Sequence, residues 1–208
     1  MILKVPGFIA TPLKLSFNNL DEYAQAAWKT QVIVRRCAAH EAFFSDYSKG
    51  CQGLCNGLCI NETPACTAVQ NTVIHTLAKP DALLWEVWSV NTNQQPIDLV
   101  GILRLSELVP RCSAKAHYFF FDAKLHDKTA LLAAWKAWAF APDGAGLHRV
   151  TIEVPAYAKA LGYHAYRHLG FGGPYKLGRF AVEGVMKDAI KWRDTWHDIY
   201  IMGCVNGT

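Results

Sequence analysis

The stretch from Phe119 to Phe171 constrains the chain most, because it reads as strand, polar loop, apolar helix, strand, helix and Gly-Phe. An aromatic run, Ala116-His117-Tyr118-Phe119-Phe120-Phe121-Asp122, reads as a strand and meets the loop Lys124-Leu125-His126-Asp127-Lys128-Thr129. A helix rich in Ala, Leu and Trp follows from Ala130 to Phe140, and then a β-branched strand from His148 to Val154. A second helix is expected from Ala156 to His168, ending on Leu169-Gly170-Phe171. A strand–loop–helix entry points the free amides of a helix end at whatever lies beyond the strand. That suits the phosphate of a nucleotide-type cofactor.

The chain has 208 residues, enough for one domain or one domain with a helical extension. Half the residues are hydrophobic and 18% are charged, so a sizeable core is available and bulk disorder is excluded. No apolar run reaches the length of a membrane-spanning helix, and Met1-Ile2-Leu3-Lys4-Val5-Pro6-Gly7 lacks the long apolar region of a secretory signal. The expected location is therefore the cytoplasm, with no membrane partner. The net charge of +4 is mild and its basic residues are scattered rather than gathered into a stripe, which argues against a nucleic-acid partner.

Residues 1–17 contain Pro6-Gly7 and Pro12, so at most one short edge strand is expected there. Asn19 and Glu22 resemble a capping box, and Tyr23, Ala24, Ala27 and Trp28 recur at helical spacing, predicting one long helix from Asp21 to about Asp46 or two broken near Cys37. Cys51, Cys55, Cys59 and Cys66 follow in a Gly-rich connection. Four thiolates suit tetrahedral zinc, but their spacing is wider than the usual C-x-x-C knuckle. It equally places small apolar side chains on one helical face, so no metal is expected. Thr63-Pro64 opens a helix to about Ala78. Leu84–Val90 and Leu99–Leu105 read as strands joined by Asn91-Thr92-Asn93-Gln94-Gln95-Pro96. Phe180–Trp192 and Trp196–Met202 read as a closing antiparallel pair.

Tyr166-Arg167-His168-Leu169-Gly170-Phe171 resembles the Y-x-x-L-G-F helix end of the GNAT superfamily of N-acetyltransferases. Glu183-Gly184-Val185-Met186-Lys187-Asp188-Ala189 with Trp196-His197-Asp198-Ile199-Tyr200-Ile201-Met202 is similar to the C-terminal hairpin of its RimJ/RimL-like branch. The resemblance covers about residues 82–203. It implies an α/β (α+β) fold, a GNAT-like acyl-CoA N-acyltransferase with a central mixed, mostly antiparallel sheet flanked by helices. Residues 81–208 would be the acetyltransferase core, and residues 1–80 a helical elaboration packed on it within one structural domain.

The resemblance further implies acetyl-CoA as co-substrate and an amine acceptor, either a peptide N-terminus or a small amine; it also admits a homodimer. Cofactor contacts would fall on Phe120, Phe121 and Asp122 at the strand end, on Lys124, Leu125, His126, Asp127, Lys128 and Thr129, and on Tyr163. In the family pattern Q/R-x-x-G-x-G/A, Lys124 takes the basic position, whereas Asp127 and Thr129 replace small residues. Tyr163 is alternatively packing, His126 a solvated loop residue, and Asp127 a helix cap. Tyr166 occupies the position of the acid that meets the leaving thiolate. Glu153 is one candidate base: strand alternation sets it with Thr151 and opposite Ile152 and Val154, where a carboxylate facing inward would bind its proton more tightly. His117 is the other. A GNAT fold that only binds, or one that modifies nucleic acid, remains the alternative reading.

Overall fold

A computed structural model describes residues 1–13, 81–120, 129–159, 180–192 and 195–207. These residues form one eight-stranded sheet in the order β1-β2-β3-β4-β5-β6-β8-β7. The strands are β1 (Leu3–Val5), β2 (Phe8–Leu13), β3 (Leu83–Val90), β4 (Pro96–Val109), β5 (Ser113–Phe120), β6 (Arg149–Pro155), β7 (Ala181–Trp192) and β8 (Thr195–Val205). A helix, α1 (Thr129–Phe140), joins β5 to β6, and a 3-10 turn (Ala156–Lys159) follows β6. All neighbouring strands pair antiparallel except β5 and β6, which are parallel and therefore need the α1 crossover. The mixed, mostly antiparallel sheet thus agrees with the fold expected from the resemblance.

The start of the chain departs from its expectation. Residues 3–13 form two strands, not one, and both join the main sheet. Pro12 is tolerated because β1 pairs β2 only at Phe8, Ile9 and Ala10. Among the described residues, the strand at Pro12 has a neighbour on one side alone, the situation in which a missing N–H does least harm. The other expected strands and α1 are present, with ends shifted by a few residues. The helix expected from Ala156 begins as the 3-10 turn, and its continuation lies outside the described residues. The helices expected within 21–78 and the cysteines at 51, 55, 59 and 66 also lie outside them.

Side-chain alternation divides the sheet into two faces. One face joins Leu3, Phe8, Trp85, Val87, Leu103, Leu105, Ala114, Ala116, Val150, Ile152, Val154 and Met202 into a core with α1. The helix meets it with Leu131, Leu132, Trp135 and Ala139, which recur at helical spacing. Trp85 is the hub, edge-on to Trp135 at 6.1 Å and to Trp138 at 4.9 Å. Gly144 follows the helix so closely that any Cβ there would collide with the Trp138 carbonyl. The opposite face is different in kind: its buried members include Glu86, Arg104 and Ser106 beside Ile102 and Leu84.

Two turns set the registers that matter below. In Asn91–Gln95 the Asn91 carboxamide oxygen accepts from the N–H groups of Asn93 and Gln95, each at 2.9 Å, which closes the β3–β4 connection. Between β4 and β5 the Cys112 N–H donates to Val109 C=O at 3.0 Å across Pro110 and Arg111, with Arg111 at φ 57°. Proline followed by a positive φ is the pattern of a type II turn.

Leu103 is fully buried in the central strand, whereas Val185 on the outer strand is 41% exposed. Leu103→Ala should therefore destabilise the protein by roughly 2–5 kcal/mol. Val185→Ala should stay within about 0.5 kcal/mol. Urea unfolding midpoints of both variants check the pair, and equal shifts would contradict this assignment of the core.

Candidate functional site

The parallel pair is joined at one end only. Ser113, Ala114 and Lys115 of β5 pair with Arg149, Val150 and Thr151 of β6, and the register goes no further. Both strands continue, β5 against β4 as far as Phe120 and β6 against β8 as far as Pro155. Residues 116–120 and 152–155 therefore border a cleft with backbone groups on their facing edges, the kind of edge that another extended polar chain can pair with.

The closed end is densely tied. The Cys112 carbonyl accepts from both His148 N–H and Arg149 N–H at 2.9 Å, and Asn206 N–H donates to His148 C=O at 2.8 Å. The Asn206 carboxamide also donates to Phe140 C=O at 3.2 Å, fixing the end of α1 to the same place. On β6, Arg149 forms an ion pair with Glu183 of β7. Side-chain size follows the same gradient. On the α1 face β5 carries Ala114 where the strands pair and Ala116 just past the last pair, then Tyr118 and Phe120, whose rings lie 6.0 Å apart, where the strands part.

Because α1 follows β5 and leads back to β6 at the closed end, its N-terminus is directed toward the open end of the cleft. Its first turn has no acidic side chain to oppose the positive end of the helix dipole.

The polar face gathers its titratable groups where the strands part. Cross-strand register puts Leu84, Arg104 and His117 side by side on β3, β4 and β5. Two residues past the last paired position, His117 faces Glu153 of β6 across the gap. The structure thus brings two of the expected catalytic residues to opposite lips of one cleft. One row toward the closed end, Lys115 Nζ bridges Glu153 at 2.9 Å and Glu107 at 3.0 Å. Glu107 reaches this position through a break in the β4–β5 register, with φ 52°.

Burial shapes these charges. Burial acts against the Lys115 ammonium, but the hydrogen bonds it donates to Glu153 and Glu107 outweigh it and hold its pKa above the usual lysine value. His117 is pushed down from 6.5 to about 4, first by burial and then by the Arg104 and Lys115 cations. It is a neutral imidazole at physiological pH. Burial alone raises Tyr118 above the ordinary phenol range. Arg104, 5% exposed, is lowered by burial, with Asp81 and Glu107 acting in the other direction.

Glu153 does stand on the side of β6 opposite Ile152 and Val154. Its surroundings differ from those expected, however: the carboxylate is half-buried and paired with Lys115 instead of lying alone among apolar side chains. Phe120 is buried at the end of β5, and Thr129 is the first residue of α1. Phe121, Asp122, Lys124, Leu125, His126, Asp127, Lys128, Tyr163 and Tyr166 lie outside the described residues. The sequence reading singles out neither Arg104 nor Lys115, although for Arg104 a charge inside the apolar run Val100–Leu105 is an available signal. Among the described residues no group of three or more His, Cys, Asp or Glu is arranged to hold a metal. No helix among them is long and apolar enough to cross a membrane.

A testable consequence concerns acid stability. Above pH 6.5 His117 is neutral in folded and unfolded chains alike; between 6.5 and about 4 the unfolded chain takes up the proton and the folded one does not. Folding stability is therefore lost as pH falls through this window, by up to roughly 3 kcal/mol from this group. Urea unfolding at pH 7 and pH 4.5 should show a smaller acid loss in His117→Gln than in the parent. Identical losses would mean that the imidazole is not buried as described.

No family model and no curated protein matches the chain in sequence. Solved structures do match in shape. RimL, the ribosomal L7/L12 alpha-N-protein acetyltransferase in complex with coenzyme A, aligns over 99% of this chain and 98% of its own, with TM-score 0.59 and 13% identity. A GNAT-family acetyltransferase from Bacillus anthracis covers 99% and 98%, with TM-score 0.57 and 10% identity. A spermidine N-acetyltransferase, a SpeG chimera from Vibrio cholerae and hSSAT, covers 94% and 95%, with TM-score 0.57 and 13% identity. The chain has the GNAT fold.

Proposed function

We propose, for this chain with the GNAT fold, that it is an acyl-CoA-dependent N-acetyltransferase acting on a primary amine by direct transfer. The observation that carries the reading is the parting of two parallel strands beyond Lys115 and Thr151, with the N-terminus of α1 directed toward the open end. An amide-bearing arm suits the facing strand edges, and a pyrophosphate suits a helix end with no acidic side chain in its first turn. Coenzyme A carries both. A coenzyme A complex among proteins of the same fold adds support. Bound acetyl-CoA would supply the activated thioester.

The residues of the cleft have separable tasks in this reading. His117, neutral over the working pH range, accepts the proton of the attacking amine. Glu153, held by Lys115 on the other lip, attracts the incoming ammonium and is the second candidate for that proton. The nitrogen forms a bond to the acetyl carbon, the carbon–sulfur bond breaks, and the thiolate leaves with a proton from Tyr166. Lys124, Leu125, His126, Asp127, Lys128 and Thr129 would hold the pyrophosphate, with Phe120, Phe121, Asp122 and Tyr163 lining the approach. Residues 1–80 would shape the acceptor side. The mild, scattered charge favours a small or peptide acceptor over nucleic acid.

Calorimetric titration with acetyl-CoA and desulfo-CoA tests the reading directly, and micromolar binding of both is expected. Absence of binding at millimolar cofactor would leave a GNAT fold that serves as a binding module. With an acceptor in hand, Tyr166→Phe should lower kcat on the order of 100-fold while leaving coenzyme affinity unchanged. Unchanged turnover would remove Tyr166 from the reaction.

A further inference from the structure

The polar face holds a cation that neither the fold nor the transfer chemistry accounts for. Arg104 is 5% exposed in the central strand, yet its Nε has no hydrogen-bond partner among the described residues. None of the ion pairs among those residues includes it. A buried guanidinium in this condition is strongly unfavourable unless an anion completes it. The neighbouring carboxylates favour its charge without forming an ion pair with it: Asp81 and Glu107 act only through their fields, Glu107 and Glu153 engage Lys115 directly, and Thr11 donates to Glu86 at 2.8 Å.

Position gives this charge a use. Arg104 lies beside His117, at the row where β5 and β6 part, and Glu153 stands across the gap. Glu107, Lys115 and Glu153 together carry one net negative charge, and Arg104 carries one positive charge. On the polar face Glu153 of β6 therefore stands on one side of the gap, and Arg104 of β4 stands behind His117 on the other.

We propose that Arg104 binds a carboxylate of the acceptor, so that the amine to be acetylated belongs to a zwitterion, an amino acid or a close relative. The ammonium is drawn to the Glu153 side, and the carboxylate occupies the fork of Arg104. A guanidinium matches a carboxylate with two parallel N–H donors, which orients the molecule as well as binding it. The same arrangement disfavours a polyamine, because a second ammonium would meet Arg104. It disfavours a phosphate dianion too, because Glu86, Glu107 and Glu153 share this face. The proposal rests on the acetyltransferase reading and narrows its acceptor.

The test pairs α-amino acids with their C-terminal amides, adds spermidine as the cationic control, and uses the parent, Arg104→Gln and Arg104→Lys. Equilibrium binding is measured by calorimetry with and without desulfo-CoA, and acetyl transfer is measured separately. The parent should prefer acid over amide on the order of 100-fold, because the amide leaves the buried guanidinium without its anion. Arg104→Gln should bring the two within a few-fold while binding acetyl-CoA as the parent does, and Arg104→Lys should keep part of the preference. Equal binding of acid and amide by the parent, a preference for spermidine, or equal losses on both ligands in Arg104→Gln would each overturn the proposal. Loss of acetyl-CoA binding in the parent would instead overturn the transferase reading, because the acid-over-amide preference is read without it.

Discussion

Everything distinctive here depends on a parallel strand pair secured at one end. At that end the Cys112 carbonyl takes two N–H groups, Asn206 joins both the helix end and the start of β6, and Ala114 and Ala116 allow close approach. Beyond Lys115 and Thr151 the pairing ceases while each strand keeps its outer neighbour. Backbone hydrogen bonding is obligatory for buried groups, so a gap of this kind is tolerated only where something else meets the exposed edges. The sheet pairs Pro110–Arg111 turn geometry at its closed end with aromatic bulk at its open end, and the cleft is the result.

The two faces divide the labour. The α1 face is a conventional apolar core centred on Trp85, and it holds β5, β6 and the helix in fixed relation. The other face collects Arg104, Lys115, His117 and Glu153 within two rows of cross-strand neighbours. Burial is the first influence on two of them: it holds His117 neutral and acts against the charge of Arg104. A surface cluster of identical composition would be screened and have little effect.

Much of the frame was legible in sequence. The alternation within Arg149–Pro155 divides Thr151 and Glu153 from Ile152 and Val154 as the strand does, though it leaves open which side is buried, and the Ala-, Leu- and Trp-rich run Ala130–Phe140 matches α1 to within a residue. The two opening strands were underestimated because Pro12 argues against strand unless one knows how short β1 is. Arg104 was missed for a related reason. A central strand buried on both faces reads as one apolar run, and a charge within it looks incidental. Its neighbour His117 is fixed by hairpin register, which rests on an Arg111 at positive φ that no propensity favours. The resemblance supplied the fold and the candidate lips of the cleft; the ion pair that engages Glu153 came only from three-dimensional register.

The tryptophan cluster that anchors α1 has a consequence for observation. Trp85 on the sheet and Trp135 and Trp138 on the helix are close enough for their indole transitions to couple, and the helix N-terminus is directed toward the mouth of the cleft. Near-ultraviolet dichroism and intrinsic fluorescence therefore sense the seating of that helix without any added label. The protein carries its own optical gauge of whether occupancy at one end of the helix is felt along its length.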